Sequence, residues 1–127
     1  MSYEIHLSID DILDITRRRN RSHKVTHIVV NYRARFQETG DEWHEIYRID
    51  NSHGYLHEQR FWIGPDPIRL EIGHRTLLDM VHETIEKLKK DHMQYKQKFR
   101  MKLVSEGKIK GEREGRKRKY GGAKERK

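Results

Sequence analysis

The strict alternation from Thr26 to Gln37 constrains the fold more than any other feature. Ile28, Val30, Tyr32, Ala34 and Phe36 fall on one side, and His27, Val29, Asn31, Arg33 and Arg35 on the other. A period of two over this length belongs to a β-strand with one face in a core and one in water. Such a strand needs neighbours. Glu38-Thr39-Gly40-Asp41 carries turn residues, and Trp43 to Ile49 returns as a second strand, so the pair predicts a hairpin. Asn51-Ser52-His53-Gly54 is the next turn. Leu56 to Ile63 reads as a third strand, stopped by Gly64-Pro65-Asp66-Pro67. Ile68 to Ile72 reads as a short extended piece.

Two segments carry helical spacing. Near the N-terminus, Ser8 and Asp11 have the spacing of a capping box, and Ile9, Ile12 and Leu13 repeat at three and four. This predicts a short helix that fades in the run Thr16-Arg17-Arg18-Arg19-Asn20-Arg21. Cations there suit the negative end of a helix dipole; phosphate contact is the other reading of the run. Thr76 and Asp79 form a second capping box. Leu78, Val81, Ile85, Leu88, His92, Tyr95 and Phe99 then make one stripe of about six turns. Glu83 with Lys87 and Glu86 with Lys90 are i, i+4 pairs on the other face. Gly107 is the natural stop.

Beyond that glycine the character changes. From Gly107 to Lys127 ten cations (Lys108, Lys110, Arg113, Arg116, Lys117, Arg118, Lys119, Lys124, Arg126 and Lys127) face three acids, a net of +7. The whole chain of 127 residues is +8, which leaves +1 for residues 1–106. The segment has one Ile and one Tyr and cannot bury enough apolar surface to offset its ordering entropy, so it is expected to be disordered when free. The sequence thus predicts one near-neutral domain, 1–106, and a cationic tail, 107–127. The tail suits a polyanion: each cation that meets a phosphate releases counterion, and such arms often order in an RNA groove.

Cysteine is absent, which excludes disulfides, thiol nucleophiles and thiolate metal sites. No stretch approaches the eighteen or so apolar residues of a membrane span, and Met1 to His6 carries no signal-peptide pattern. The expected location is the cytoplasm. Gly-rich phosphate loops, dinucleotide fingerprints, His-Glu-x-x-His and Gly-x-Ser-x-Gly are all missing, and no cofactor is expected.

The densest polar cluster is His44, Arg48, Asp50, Asn51, His53, His57, Glu58 and Arg60. Alternation puts His44, Arg48 and Asp50 on one strand face, with His53 and His57 across the turn. Imidazoles titrate near neutrality, so His53 and His57 with Arg48 as phosphate clamp are candidates for RNA cleavage by its own 2′-hydroxyl. Asp50, His53 and His57 could alternatively ligate a metal, although the turn glycine Gly54 interrupts the spacing. The structural reading is turn chemistry from Asp50, Asn51 and Gly54, with Arg48 paired to Glu45 or Asp50.

The segment Trp43 to Trp62 contains Arg48-Ile49-Asp50-Asn51, then His53 and His57. In these residues it resembles a small archaeal domain of unknown function and is distantly similar to TumE-type toxins of toxin–antitoxin pairs. Those chains carry an Arg-x-Asp-Asn motif before a His-bearing turn. Their later His-rich stretch is replaced here by Glu58-Gln59-Arg60-Phe61. The resemblance implies an RNA-directed protein with a partner antitoxin.

The expectation is therefore an α+β domain. A small antiparallel sheet of three to four strands packs against a short N-terminal and a long C-terminal helix, and a disordered basic tail follows. The expected function is association with RNA or a ribonucleoprotein through that tail and Arg17, Arg18, Arg19 and Arg21. The alternative is a toxin-like ribonuclease using Arg48, Asp50, His53 and His57.

Overall fold

The computed structural model describes residues 1–110. Within them the chain forms one antiparallel meander of six strands, β1 (Ser2–Ser8), β2 (Asp11–Arg19), β3 (Val25–Arg35), β4 (Trp43–Asp50), β5 (His57–Arg60) and β6 (Ile68–Arg69), hydrogen-bonded in chain order. A helix, α1 (Leu77–Ser105), crosses one face of the sheet over β3 and β4.

The alternation of β3 holds in full. Ile28, Val30, Tyr32, Ala34 and Phe36 are buried under α1, and Arg33 and Arg35 point to the open face. The capping box also forms. Thr76 accepts from the Asp79 amide, and the Asp79 carboxylate accepts from the Thr76 amide. Met80, Val81, Thr84, Ile85, Leu88, Phe99 and Leu103 are buried on the sheet, and Gly107 ends the helix with φ of 75°.

The expected N-terminal helix does not exist, and the sheet has six strands rather than three or four. Residues 9–19 are a turn and the strand β2, with β1 on one side and β3 on the other. Leu13 and Ile15 alternate toward the helix face, opposite Tyr32 and Val30. Ile12 is buried on the opposite face, so the apolar residues of a strand flanked on both sides imitate helical spacing. The β-branched residues Ile12, Ile15 and Thr16 favour the extended chain. Ser8 and Asp11 do interact, with the hydroxyl donating to the carboxylate at 2.5 Å, but they close a hairpin turn rather than a helix end. The third strand is also shorter than expected. The Phe61 amide still donates to the Ile46 carbonyl of β4 at 3.1 Å, but the chain then turns at residues 61–63, and the Trp62 ring stacks on Tyr95 of α1 with centroids 4.9 Å apart.

The helix is fastened to the sheet by charge as well as by apolar packing. The buried Asp11 carboxylate accepts from the Tyr32 hydroxyl at 2.6 Å and pairs with Lys96 of α1 at 3.1 Å. Burial alone would raise the Asp11 carboxyl. Hydrogen bonds from Ser8, Tyr32 and Lys96 outweigh it and hold the group below its usual value. One turn further along α1, Arg100 pairs with Glu38 in the β3–β4 connection. After Gly107 the chain doubles back, and Ile109, 5% exposed, packs into the core. The domain therefore extends past the expected boundary at 106. The cations Arg113 to Lys127, and the disorder expected of their segment, lie outside the described residues.

Candidate functional site

Asp50 ends β4 and His57 begins β5, and the two are register partners. The imidazole Nε2 lies 3.2 Å from Asp50 Oδ1. Arg48 Nε donates to Asp50 Oδ2 at 2.8 Å, and the Ser52 amide and hydroxyl donate to Oδ1 at 3.1 and 2.8 Å. Burial pushes the Asp50 carboxyl up, but these donors and the neighbouring His57 more than compensate and keep it below the ordinary carboxylate value. Asn51 ties the turn back to β3. Its Oδ1 accepts from the Ile28 amide at 3.0 Å, and its Nδ2 donates to the Thr26 carbonyl at 3.1 Å. Gly54 takes a φ of 88°, which only glycine adopts without strain.

His53 and His57 are brought together, but not as two open proton shuttles. Their rings stack with centroids 5.6 Å apart. His53 is exposed, whereas His57 is 2% exposed, lies beside Tyr55, and has a buried Nδ1 with no hydrogen-bond partner among the described residues. A proton shuttle must reach the atom it serves. In this geometry His57 reaches Asp50, and only His53 and the half-exposed Arg48 can meet a ligand. The carboxylate is engaged by both the imidazole and the guanidinium, so the corner works chemically as a lock on the β4–β5 turn. Among the described residues no cluster of three or more His, Asp or Glu is arranged to hold a metal ion.

His44 is not part of this corner. The register of β4 against β3 slips between Tyr32–Tyr47 and Arg33–Glu45, leaving Ile46 as an extra residue. This bulge inverts the alternation, a recognised effect of one inserted residue. His44 then lies on the core face between Phe36 and Phe99, while Arg48 and Asp50 lie on the opposite one.

The bulge also sets up a buried group that the alternation does not announce. Tyr47 donates from its hydroxyl to Glu58 at 2.5 Å, and Arg60 pairs with the same carboxylate at 2.7 Å. Burial, followed by the Glu58 carboxylate, pushes the Tyr47 hydroxyl far above its usual value, so it remains a donor. The inward parity of Glu58 with Arg60, one strand from Tyr47, is the sequence signal for this triad.

The arginine run divides. Arg17 is half-buried, with its guanidinium 5.9 Å from the Tyr3 ring centroid and its Nε without a hydrogen-bond partner among the described residues. Arg18, Arg19 and Arg21 are exposed at the tip of the β2–β3 hairpin, beside Lys24. Cations elsewhere on the sheet are neutralised: Arg33 by Asp14 at 2.7 Å, Arg35 by Asp10 at 3.2 Å, Arg48 by Asp50 and Arg60 by Glu58. Arg18, Arg19, Arg21 and Lys24 form no ion pair among the described residues. The reason is local composition, because residues 15–37 contain no Asp or Glu. Lys108 pairs with Glu106 at 3.4 Å, and Lys110 is exposed.

Fold and surface together define a small α+β protein: an antiparallel meander under one long helix, with a closed polar corner and an open cationic tip. The chain belongs to the family described as Domain of unknown function (DUF7718), whose model matches residues 2–104. That span takes in the whole meander and all but the last residue of α1. No curated protein and no solved structure matches the chain. Among the described residues no helix is long and apolar enough to cross a membrane.

Proposed function

We propose that this protein associates with RNA or a ribonucleoprotein, docking through its cationic C-terminal segment without catalysing a reaction. The observation that carries the reading is charge segregation: +7 of the formal +8 lies in the last twenty-one residues. The cations at the β2–β3 tip, which form no ion pair among the described residues, support it, because phosphate contacts require charges not already spent on carboxylates. The likeness of Trp43 to Trp62 to TumE-type toxins is consistent with an RNA target.

The test is binding of a labelled single-stranded RNA across a salt series, with the full chain and with a chain ending at Lys110. Ending there spares the buried Ile109. Five to seven phosphate contacts give a slope of about −3.5 to −5 in log affinity against log salt. Truncation is expected to flatten the slope and weaken binding at least tenfold. Equal binding by both chains overturns the reading.

A toxin-like ribonuclease with an antitoxin partner is the second reading. The contact of Asp50 with His57, under the stacked His53, is the observation that favours it. The closed state of His57 weighs against it. Turnover of RNA by the wild type that is lost in His53→Ala, with folding intact, would establish it. Absence of turnover by the wild type removes it.

A further inference from the structure

A cavity of about 550 Å³ opens between the β2–β3 hairpin and the start of α1. That volume lies within the roughly 300–1,000 Å³ of small-ligand sites. Its walls differ in chemistry. On one side stand Arg19 and Lys24, which form no ion pair among the described residues. On the other stand Leu77 and Leu78 of α1, half-buried like Val25, the register partner of Arg19 on the hairpin side. Thr76 lines the join. Its oxygen accepts from the Asp79 amide, which leaves its hydroxyl hydrogen free to donate. Arg75 also lines the cavity, but its guanidinium is held by Glu83 at 2.8 Å and by two backbone carbonyls. The Thr76 and Asp79 amides are engaged in the capping box, so the attraction for an anion comes from Arg19 and Lys24 rather than from the helix end.

The hairpin fixes the backbone that carries these two residues, and the Arg19 guanidinium with it. Asn20 accepts from the Ser22 and Lys24 amides at 2.9 and 3.0 Å, and its own amide donates to the Lys24 carbonyl. Arg19 donates to the His23 carbonyl at 2.8 Å. His23 sits at φ of 64°, an unfavourable conformation for a non-glycine residue, retained by this network.

We infer that this cavity takes a single nucleotide. The phosphate lies toward Arg19 and Lys24 on the hairpin, and the base lies against the aliphatic wall of Leu77 and Leu78 at the start of α1. An anion alone would leave that wall wet, and an apolar ligand alone would leave two cations unanswered. On the RNA-binding reading above, on which the identity of the partner rests, the occupant is an unpaired nucleotide of the docked RNA.

The experiment is a titration of the isotope-labelled full chain, followed by amide NMR, with adenosine 5′-monophosphate. Inorganic phosphate and adenosine are run as separate probes. The monophosphate is expected to shift Lys24, Val25, Leu77 and Leu78 and to bind at least tenfold more tightly than either fragment. In Arg19→Ala/Lys24→Ala, whose spectrum also reports folding, its affinity is expected to drop at least tenfold. Shifts confined to other regions, unchanged affinity in the double variant, or phosphate binding as tightly as the monophosphate each overturn the inference. If the monophosphate fails to bind while RNA binds through the C-terminal segment, the inference falls and the proposed function stands. If it binds in the cavity while the full chain ignores RNA, the nucleotide site stands and the proposed function falls.

Discussion

The Asp50–His57 corner and the β2–β3 tip are both rich in charge, but their charges are disposed in opposite ways. At the corner one buried carboxylate gathers Arg48, His57 and both donors of Ser52. At the tip, four cations share a loop with no acid to answer them among the described residues. Satisfied charges in a dry place hold a structure together, whereas unsatisfied charges in water are available to a partner. The cluster that looks most like a catalytic centre in the sequence is thus the better candidate for a structural one.

This contrast can be broken most directly at Asp50. Replacing it with Ala leaves the buried His57 without its acceptor and Arg48 with Glu45 alone, and is expected to cost about 3–5 kcal/mol, as for removing one partner of a buried pair. A urea titration measures it, and a loss below about 1 kcal/mol would show that the corner does not lock the turn. At the tip, the quadruple change of Arg18, Arg19, Arg21 and Lys24 to Ala is expected to move stability by no more than about 1 kcal/mol while weakening RNA binding. If the quadruple variant unfolds instead, the two regions do not differ in kind.

Acid sharpens the same comparison. The folded-state values of Asp11 and Asp50 both lie below the ordinary carboxylate value. Their contribution to stability is complete above about pH 5 and is lost as pH falls through the unfolded and then the folded values. The urea midpoint is therefore expected to drop between pH 5 and pH 2.5, and to drop less in Asp50→Asn. An equal drop in both proteins would exclude Asp50 as a source.

Smaller effects are expected from Tyr47→Phe and His53→Ala. Removing the Tyr47 hydroxyl strips a donor from the buried Glu58, at about 1–3 kcal/mol. Thermal unfolding, compared with Phe61→Leu on the same side of the sheet, checks whether the loss is specific. His53 is exposed and stacks on one ring, so its removal is expected to cost no more than about 0.5 kcal/mol. A larger cost would make His53 part of the lock.

Some elements were legible because local chemistry and tertiary context agree. Thr26 to Gln37 alternates because one sheet face is covered and the other is not. Thr76 with Asp79, the stripe from Val81 to Phe99 and Gly107 state a helix in three independent ways. The N-terminal strands were not legible. Ile9, Ile12, Leu13 and Ile15 satisfy a helical template as well as a strand one, and Ser8 with Asp11 serves a helix cap or a hairpin turn equally. The site was legible in part. Arg48, Asp50, His53 and His57 do converge, but the separation of His44 depends on a bulge at Ile46 that no residue there signals.

The sequence alone determined the charge division, the strand β3, the long helix and its two ends. All of these follow from short-range patterns whose physics is complete within a dozen residues. Tertiary structure alone decided that residues 11–19 are a strand, that Glu58 and Asp11 are buried, and that His57 is closed. Each of these depends on what lies across the sheet or the helix, and burial and charge neutralisation are properties of neighbours in space rather than in sequence.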